Sequence, residues 1–198
     1  MLVVERMTTP VVTITAETTV GQALAIIEAR QLRHLPVLDA QDTLIGIVSE
    51  KDLLRARPDD PVQEVMTRKV ITVTEYTALE EAARIMADHK ISSLPVMRNG
   101  KLVGIITETD LFKIFLELLA AREKGVRLTM LIPEEKGTLA SLTAEIANMG
   151  GNILALSTFM GEDPTNRMVT VKVSDVRGDK LVAIMEALGM EIVDVRED

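Results

Sequence analysis

The chain of 198 residues contains no cysteine and no tryptophan, one tyrosine, three phenylalanines and two histidines. Without cysteine there can be no disulfide, thiolate metal site or cysteine nucleophile, a composition that fits a reducing compartment. Nucleic-acid binding wants a basic face and often stacking aromatics, whereas this chain has a formal net charge of −8. Phosphate loops of the Gly-Lys-[Ser/Thr] kind, Gly-x-Gly-x-x-Gly and His-Glu-x-x-His are all missing. His34 and His89 have no partners at metal-ligand spacing. No serine stands in a recognisable nucleophile motif. Residues 1–6 lack the basic region and apolar core of a signal peptide. The most apolar run, residues 111–121, is too short for a bilayer and carries Lys113 and Glu117. These absences lead to the expectation of a cytoplasmic protein that is not an enzyme, holds no metal, and has neither nucleic acid nor membrane as partner.

What is present is a duplication. With 47% apolar residues the chain can bury a sizeable core. Gly46-Ile47-Val48-Ser49-Glu50-Lys51-Asp52 returns as Gly104-Ile105-Ile106-Thr107-Glu108-Thr109-Asp110. Upstream, the stretch from Met7 through Leu35-Pro36-Val37 aligns without a gap onto that from Met66 through Leu94-Pro95-Val96. One residue is dropped in the turn that follows, where a folded unit tolerates it.

Each copy predicts the order β-α-β-β-α. Residues 11–14 and 70–73 are extended, and Thr18 and Thr77 are placed to cap a helix, with Glu80 completing a capping box in the second copy. Val20, Ala23, Leu24 and Ile27, then Leu79, Ala82, Ala83 and Met86, have helical spacing. Pro36 and Pro95 suggest strand starts or edges. Methionines such as Met86, Met97 and Met185 read as core fillers. The hydroxyl of Ser49 or Thr107 caps the last helix, and with Asp52 or Asp110 three residues on, one copy alone would be nothing more than a capping box.

Leu-Pro-Val followed by Gly-hydrophobic-hydrophobic-[Ser/Thr]-x-x-Asp, twice, resembles cystathionine-β-synthase-type (CBS) domains joined as a Bateman module. The resemblance covers roughly residues 1–120, with repeats at 1–58 and 59–121. It implies clefts that bind an adenosyl ligand, namely AMP, ADP, ATP or S-adenosylmethionine, and that report the ligand rather than transform it. By the same resemblance Asp52 and Asp110 accept from the ribose hydroxyls, a chemistry that two carboxylate oxygens suit. Ser49 and Thr107, at helix N-termini, are expected beside phosphate. Main-chain groups near Thr13 and Thr15, and near Thr72 and Thr74, are expected to read the adenine edge. Arg33 and His34 precede one Leu-Pro-Val and Ser92 and Ser93 the other, so the two sites need not be equivalent.

Phe112, Ile114, Phe115, Leu116, Leu118 and Leu119 extend the last helix of the second repeat with a broad apolar surface. Packing within the chain is the expected use, and self-association the alternative. Beyond Gly125 the pattern changes to β-α-β-β-α-β, the order of a ferredoxin-like sandwich, with turn chemistry at residues 161–166. Residues 125–198 form the third domain. The loop from Glu134 through Gly137 to Leu139, together with Gly150-Gly151-Asn152-Ile153, resembles an ACT domain. That resemblance implies either an amino-acid effector site, with Glu134, Gly137, Leu139 and Asn152 as candidates, or dimerisation alone. Two CBS repeats followed by an ACT domain resemble the acetoin utilisation (AcuB-like) family.

The fold class expected is therefore α+β, a CBS pair plus a ferredoxin-like domain. The function expected is that of a regulatory homodimer which senses an adenosyl ligand and couples it to dimer arrangement and to an unidentified regulated protein. The alternative is an interaction scaffold that regulates a partner enzyme by contact, independent of ligand.

Overall fold

Each repeat builds a sheet of three strands and two helices, and the two copies match element for element. The computed structural model describes residues 1–161 and 164–197. The first repeat comprises β1 (Ile14–Thr15), α1 (Val20–Arg30), β2 (His34–Leu38), β3 (Leu44–Ser49) and α2 (Glu50–Leu53). The second comprises β4 (Val73–Thr74), α3 (Leu79–His89), β5 (Ser93–Arg98), β6 (Lys101–Thr107) and α4 (Glu108–Leu118). In both sheets the short first strand lies parallel to the second and the hairpin is antiparallel. The first repeat and the second as far as Phe112 lie within one compact unit, Met1–Phe112, and Lys113–Asp198, with the rest of α4, forms another.

Three local expectations need correction. The extended pieces contribute only Ile14–Thr15 and Val73–Thr74 to the sheets. Thr18 and Thr77 do not cap the helices: their hydroxyls accept from the amides of Thr15 at 3.2 Å and Thr74 at 3.1 Å, closing the turn after each strand. The first cap falls one residue later, on Thr19, whose hydroxyl takes the Gln22 amide while Gln22 Oε1 takes the Thr19 amide. At the matching position the second copy has Ala78, which offers no side-chain cap, so Glu80 completes no box. Finally, Pro36 lies inside the middle strand, opposite Ile47. It is tolerated because β1 begins pairing only at Val37, so no neighbour on that side asks for the missing N–H.

The stretch ahead of each repeat folds onto the other one. Val3 and Val4 donate to the carbonyls of Thr77 and Glu75. Thr8 exchanges both backbone bonds with Ile105 at 2.8 and 3.1 Å. At the equivalent place, Val62 donates to Thr18, and Thr67 exchanges bonds with Ile47 at 2.9 and 3.1 Å. Val62 is fully buried in the core of the first repeat beside Val20, Ile27, Leu35 and Leu53, and Val3 is equally buried. Burying each valine stabilises by about 1.5–3 kcal/mol at most. The exchange makes one folding unit of two small repeats, neither of which has much core alone.

In the C-terminal unit, β7 (Val126–Pro133), α5 (Thr138–Asn148), β8 (Asn152–Met160), β9 (Asn166–Ser174), α6 (Gly178–Ala187) and β10 (Glu191–Glu197) follow one another. The strands are antiparallel in the order β10-β7-β9-β8, the split arrangement of a ferredoxin-like fold. Leu142 and Ile146 of α5 and Leu181 and Met185 of α6 are buried against Leu128, Met130, Val169 and Val171. Of the turn expected at 161–166, Glu162 and Asp163 lie outside the described residues.

Helix α4 departs most from expectation. Phe112 is 69% exposed, Phe115 53% and Leu118 59%, and within this helix Ile114 is the buried residue. Of the apolar face foreseen as core packing, these three side chains stay more than half exposed among the described residues.

Candidate functional site

At the end of β3 the chain turns into α2, and Ser49 and Asp52 lock the turn reciprocally. Asp52 Oδ2 accepts from the Ser49 amide at 3.0 Å and from its hydroxyl at 2.6 Å, and Ser49 Oγ accepts from the Asp52 amide at 3.3 Å. Thr107 and Asp110 repeat the arrangement at 3.0, 2.7 and 3.4 Å. Both motifs are therefore capping boxes. The box uses only one oxygen of Asp52: among the described residues none donates to Oδ1.

Oδ1 is available beside a cavity of about 550 Å³, within the usual range of small-molecule sites. Ser49, Asp52, Arg33 and His34 line it from the first repeat, and Ser92 and Ser93 from the second. Six of the residues singled out from sequence thus meet in one cleft. The amide of Glu50 donates to the Arg33 carbonyl at 2.9 Å, and that of Glu108 to the Ser92 carbonyl at 3.0 Å, so each motif is tied to the residues ahead of its own Leu-Pro-Val.

His34 sits at the seam of the repeats, its Nε2 3.0 Å from the Ser92 hydroxyl. Burial pushes its imidazole below its ordinary value; Asp52 and Glu108 oppose that shift and Arg33 reinforces it. The Glu108 amide binds the Ser92 carbonyl and the Ser92 hydroxyl meets His34, so the second motif turn reaches the same ring.

Other expected residues lie elsewhere. Thr72 and Thr74 are not in the cleft; Lys69, Val70 and Ile71, a few positions earlier, line it instead. The reason is the exchange between repeats: the Thr67–Ile47 pairing lays the lead-in of the second repeat across the first one's motif. Thr74, like Thr15, is held in its strand by the following turn. Thr13 borders a separate hollow of about 360 Å³ with Pro10, Leu38 and Lys101. Lys51, Lys69 and Lys90 also line the main cleft and were missed from sequence. Their signal was available in the repeat alignment, which sets them against Thr109, Pro10 and Gln31. Ser49 lines the cleft at the N-terminus of α2, which at four residues has little dipole to offer.

In the C-terminal unit, Glu134 pairs with Arg167, Gly137 begins α5 with φ +94°, and Leu139 is 37% exposed. Asn152 pairs with Ser174 at the other end of the sheet, eight residues along β9 from the strand end next to Glu134, or about 26 Å at the usual strand rise. The four candidates do not converge, because α5 carries the chain back along the sheet between the third and the fourth.

Two interlocked β-α-β-β-α repeats around a polar seam cleft define a paired-repeat module. The chain belongs to the CBS domain family, whose model matches residues 3–59 and 62–117. Among solved structures, a Vibrio cholerae protein assigned to acetoin utilization (AcuB) is 38% identical, with TM-score 0.57, covering 62% of this chain and 95% of its own. The CBS domain pair of protein MJ0100, in complex with 5′-methylthioadenosine and S-adenosyl-L-methionine, is 28% identical at TM-score 0.57 and covers 62% and 98%. CBSX2 in complex with AMP is 31% identical at TM-score 0.53, covering 58% and 96%. Inosine-5′-monophosphate dehydrogenase of Methanocaldococcus jannaschii is 36% identical over 121 residues, 60% of this chain. The match spans only 24% of that enzyme, its CBS part, and so brings no catalytic domain with it.

Proposed function

We propose that this protein is a regulatory sensor whose seam cleft binds an adenosyl ligand, the ribose diol donating to Asp52. The observation that carries the reading is the division of labour at Asp52, where one oxygen holds the turn and the other is left for a ligand beside a cleft of suitable size. Relatives solved with 5′-methylthioadenosine, S-adenosyl-L-methionine and AMP support the same ligand class. Asp110 is the matching position in the second repeat. On this reading the C-terminal unit serves as an ACT domain that fixes or relays a homodimer arrangement. Ligand shifts that arrangement only if it binds the two states unequally. An amino acid is the effector class to test at Glu134, Gly137 and Leu139.

A second reading, a contact scaffold independent of ligand, is favoured by the exposed Phe112, Phe115 and Leu118 of α4. A thermal-shift panel of AMP, ADP, ATP and S-adenosylmethionine separates the two. A ligand at a hundredfold excess over Kd adds about 2.7 kcal/mol, roughly several degrees in Tm for a chain of this size. A selective rise supports the sensor; none with any of the four supports the scaffold.

A further inference from the structure

The two motif turns match in backbone and in hydrogen bonding but differ in charge. Around Asp52, Lys51, Lys69, Lys90 and Arg33 converge on the cleft. None of the four is paired to a carboxylate among the described residues, although the chain as a whole carries a net charge of −8. Glu50 and Asp52 are the carboxylates of the same lining, so positive charge is in excess there, an unfavourable use of surface unless an anion joins it. The equivalents around Asp110 are Thr109 for Lys51, Pro10 for Lys69 and Gln31 for Lys90, so the second position lacks three positive charges. Arg33 and His34 align with Ser92 and Ser93, and all four line this same cleft.

The repeat architecture fixes the backbone position of two of these lysines. Lys90 ends α3 in the left-handed conformation, φ 54°, as Gln31 ends α1 at φ 51°. Lys69 lies on the lead-in that the Thr67–Ile47 pairing fixes against the first repeat. Helix α4, at 11 residues, does present a dipole at Asp110. That dipole amounts to about half a charge at the terminus, against three full charges, and Glu108 and Asp110 already occupy the first turn.

We infer that the Asp52 cleft is the phosphate-bearing site, taking an adenine nucleotide through Lys51, Lys69 and Lys90, while the matching position at Asp110 lacks the charge to hold one. The inference rests on the adenosyl reading of the cleft. One phosphorylated ligand is then bound per chain.

Isothermal titration of the full chain with AMP, ATP, adenosine and 5′-methylthioadenosine, at two salt concentrations, tests this. Nucleotide should bind at one per chain and about tenfold or more tighter than adenosine at low salt, with the advantage shrinking as salt rises. Lys69→Gln/Lys90→Gln should lose most of that advantage while its adenosine affinity and Tm stay at wild-type values. Equal affinity for nucleotide and adenosine overturns the inference and leaves the adenosyl reading standing. Two equivalent nucleotide sites, or a double variant with undiminished nucleotide affinity, do the same. Failure of all four compounds to bind overturns both.

Discussion

The hydroxyl of Ser92 and Nε2 of His34 lie 3.0 Å apart, joining residues 58 positions distant in the chain. They hold equivalent places just ahead of the two Leu-Pro-Val segments, one position out of step. The bond therefore ties the first repeat to the second in the lining of the cleft, and the ring it engages is half-buried.

That burial predicts a pH dependence. The imidazole's folded pKa lies below its unfolded value, chiefly through desolvation, with Asp52 and Glu108 opposing and Arg33 assisting. In that window the unfolded chain binds more protons, so stability is full above the ordinary histidine range and falls as pH drops through it towards the folded pKa. Urea midpoints should decline from about pH 8 to 5.5, above the carboxylate range, and decline less in His34→Gln. Equal slopes in the two proteins would remove His34 as the cause.

The doubled role of Asp52 can be split by substitution. Asp52→Ala removes the acceptor for the Ser49 amide and hydroxyl and should cost about 1 kcal/mol, some 2–4 °C in Tm. Asp52→Asn keeps an acceptor for the turn and should melt within about a degree of wild type. Both should lose most of the ligand-induced thermal shift. A full shift in Asp52→Asn would leave the carboxylate a purely structural role.

Gly46 and Gly104 are sites of close approach between a repeat and the lead-in folded over it. A Cβ on Gly46 would stand 2.4 Å from Met66 Sδ, and one on Gly104 2.3 Å from Met7 Sδ. Gly46→Ala should destabilise by about 1–3 kcal/mol through overpacking, softened by the flexibility of methionine. Combining it with Met66→Ala should cost less than the sum of the two single changes, read from denaturant midpoints as a double-mutant cycle. Strict additivity would mean that the two side chains do not compete for one space.

Helix α4 offers a direct test of self-association. Phe112→Ser/Phe115→Ser should leave Tm nearly unchanged, because both rings are more than half exposed in the single chain. Sedimentation equilibrium should move from dimer to monomer if that face holds the pair together. An unaltered dimer would place the interface elsewhere.

Much of the site was legible because the gene-level duplication repeated a local chemistry. Ser49, Asp52, Thr107 and Asp110 formed the capping boxes that their spacing announced, since a box depends on residues three apart in one turn. Pro36 misled, because strand position depends on where a neighbouring strand stops, and that is a tertiary matter. Thr18 misled by one residue, since hydroxyls can serve a turn as readily as a helix.

The sequence by itself determined the repeat, the element order of both units, the capped turns and the apolar faces of α1 and α3, all consequences of short-range spacing. Only the tertiary structure decided that Val3 completes the second repeat and Val62 the first, that Lys69 and Lys90 line the cleft of Asp52, and that Asn152 stands apart from Glu134. The physical reason is common to all three. Each depends on which buried surface a distant segment covers, and that choice is made by the whole chain minimising exposed apolar area and unpaired backbone groups together.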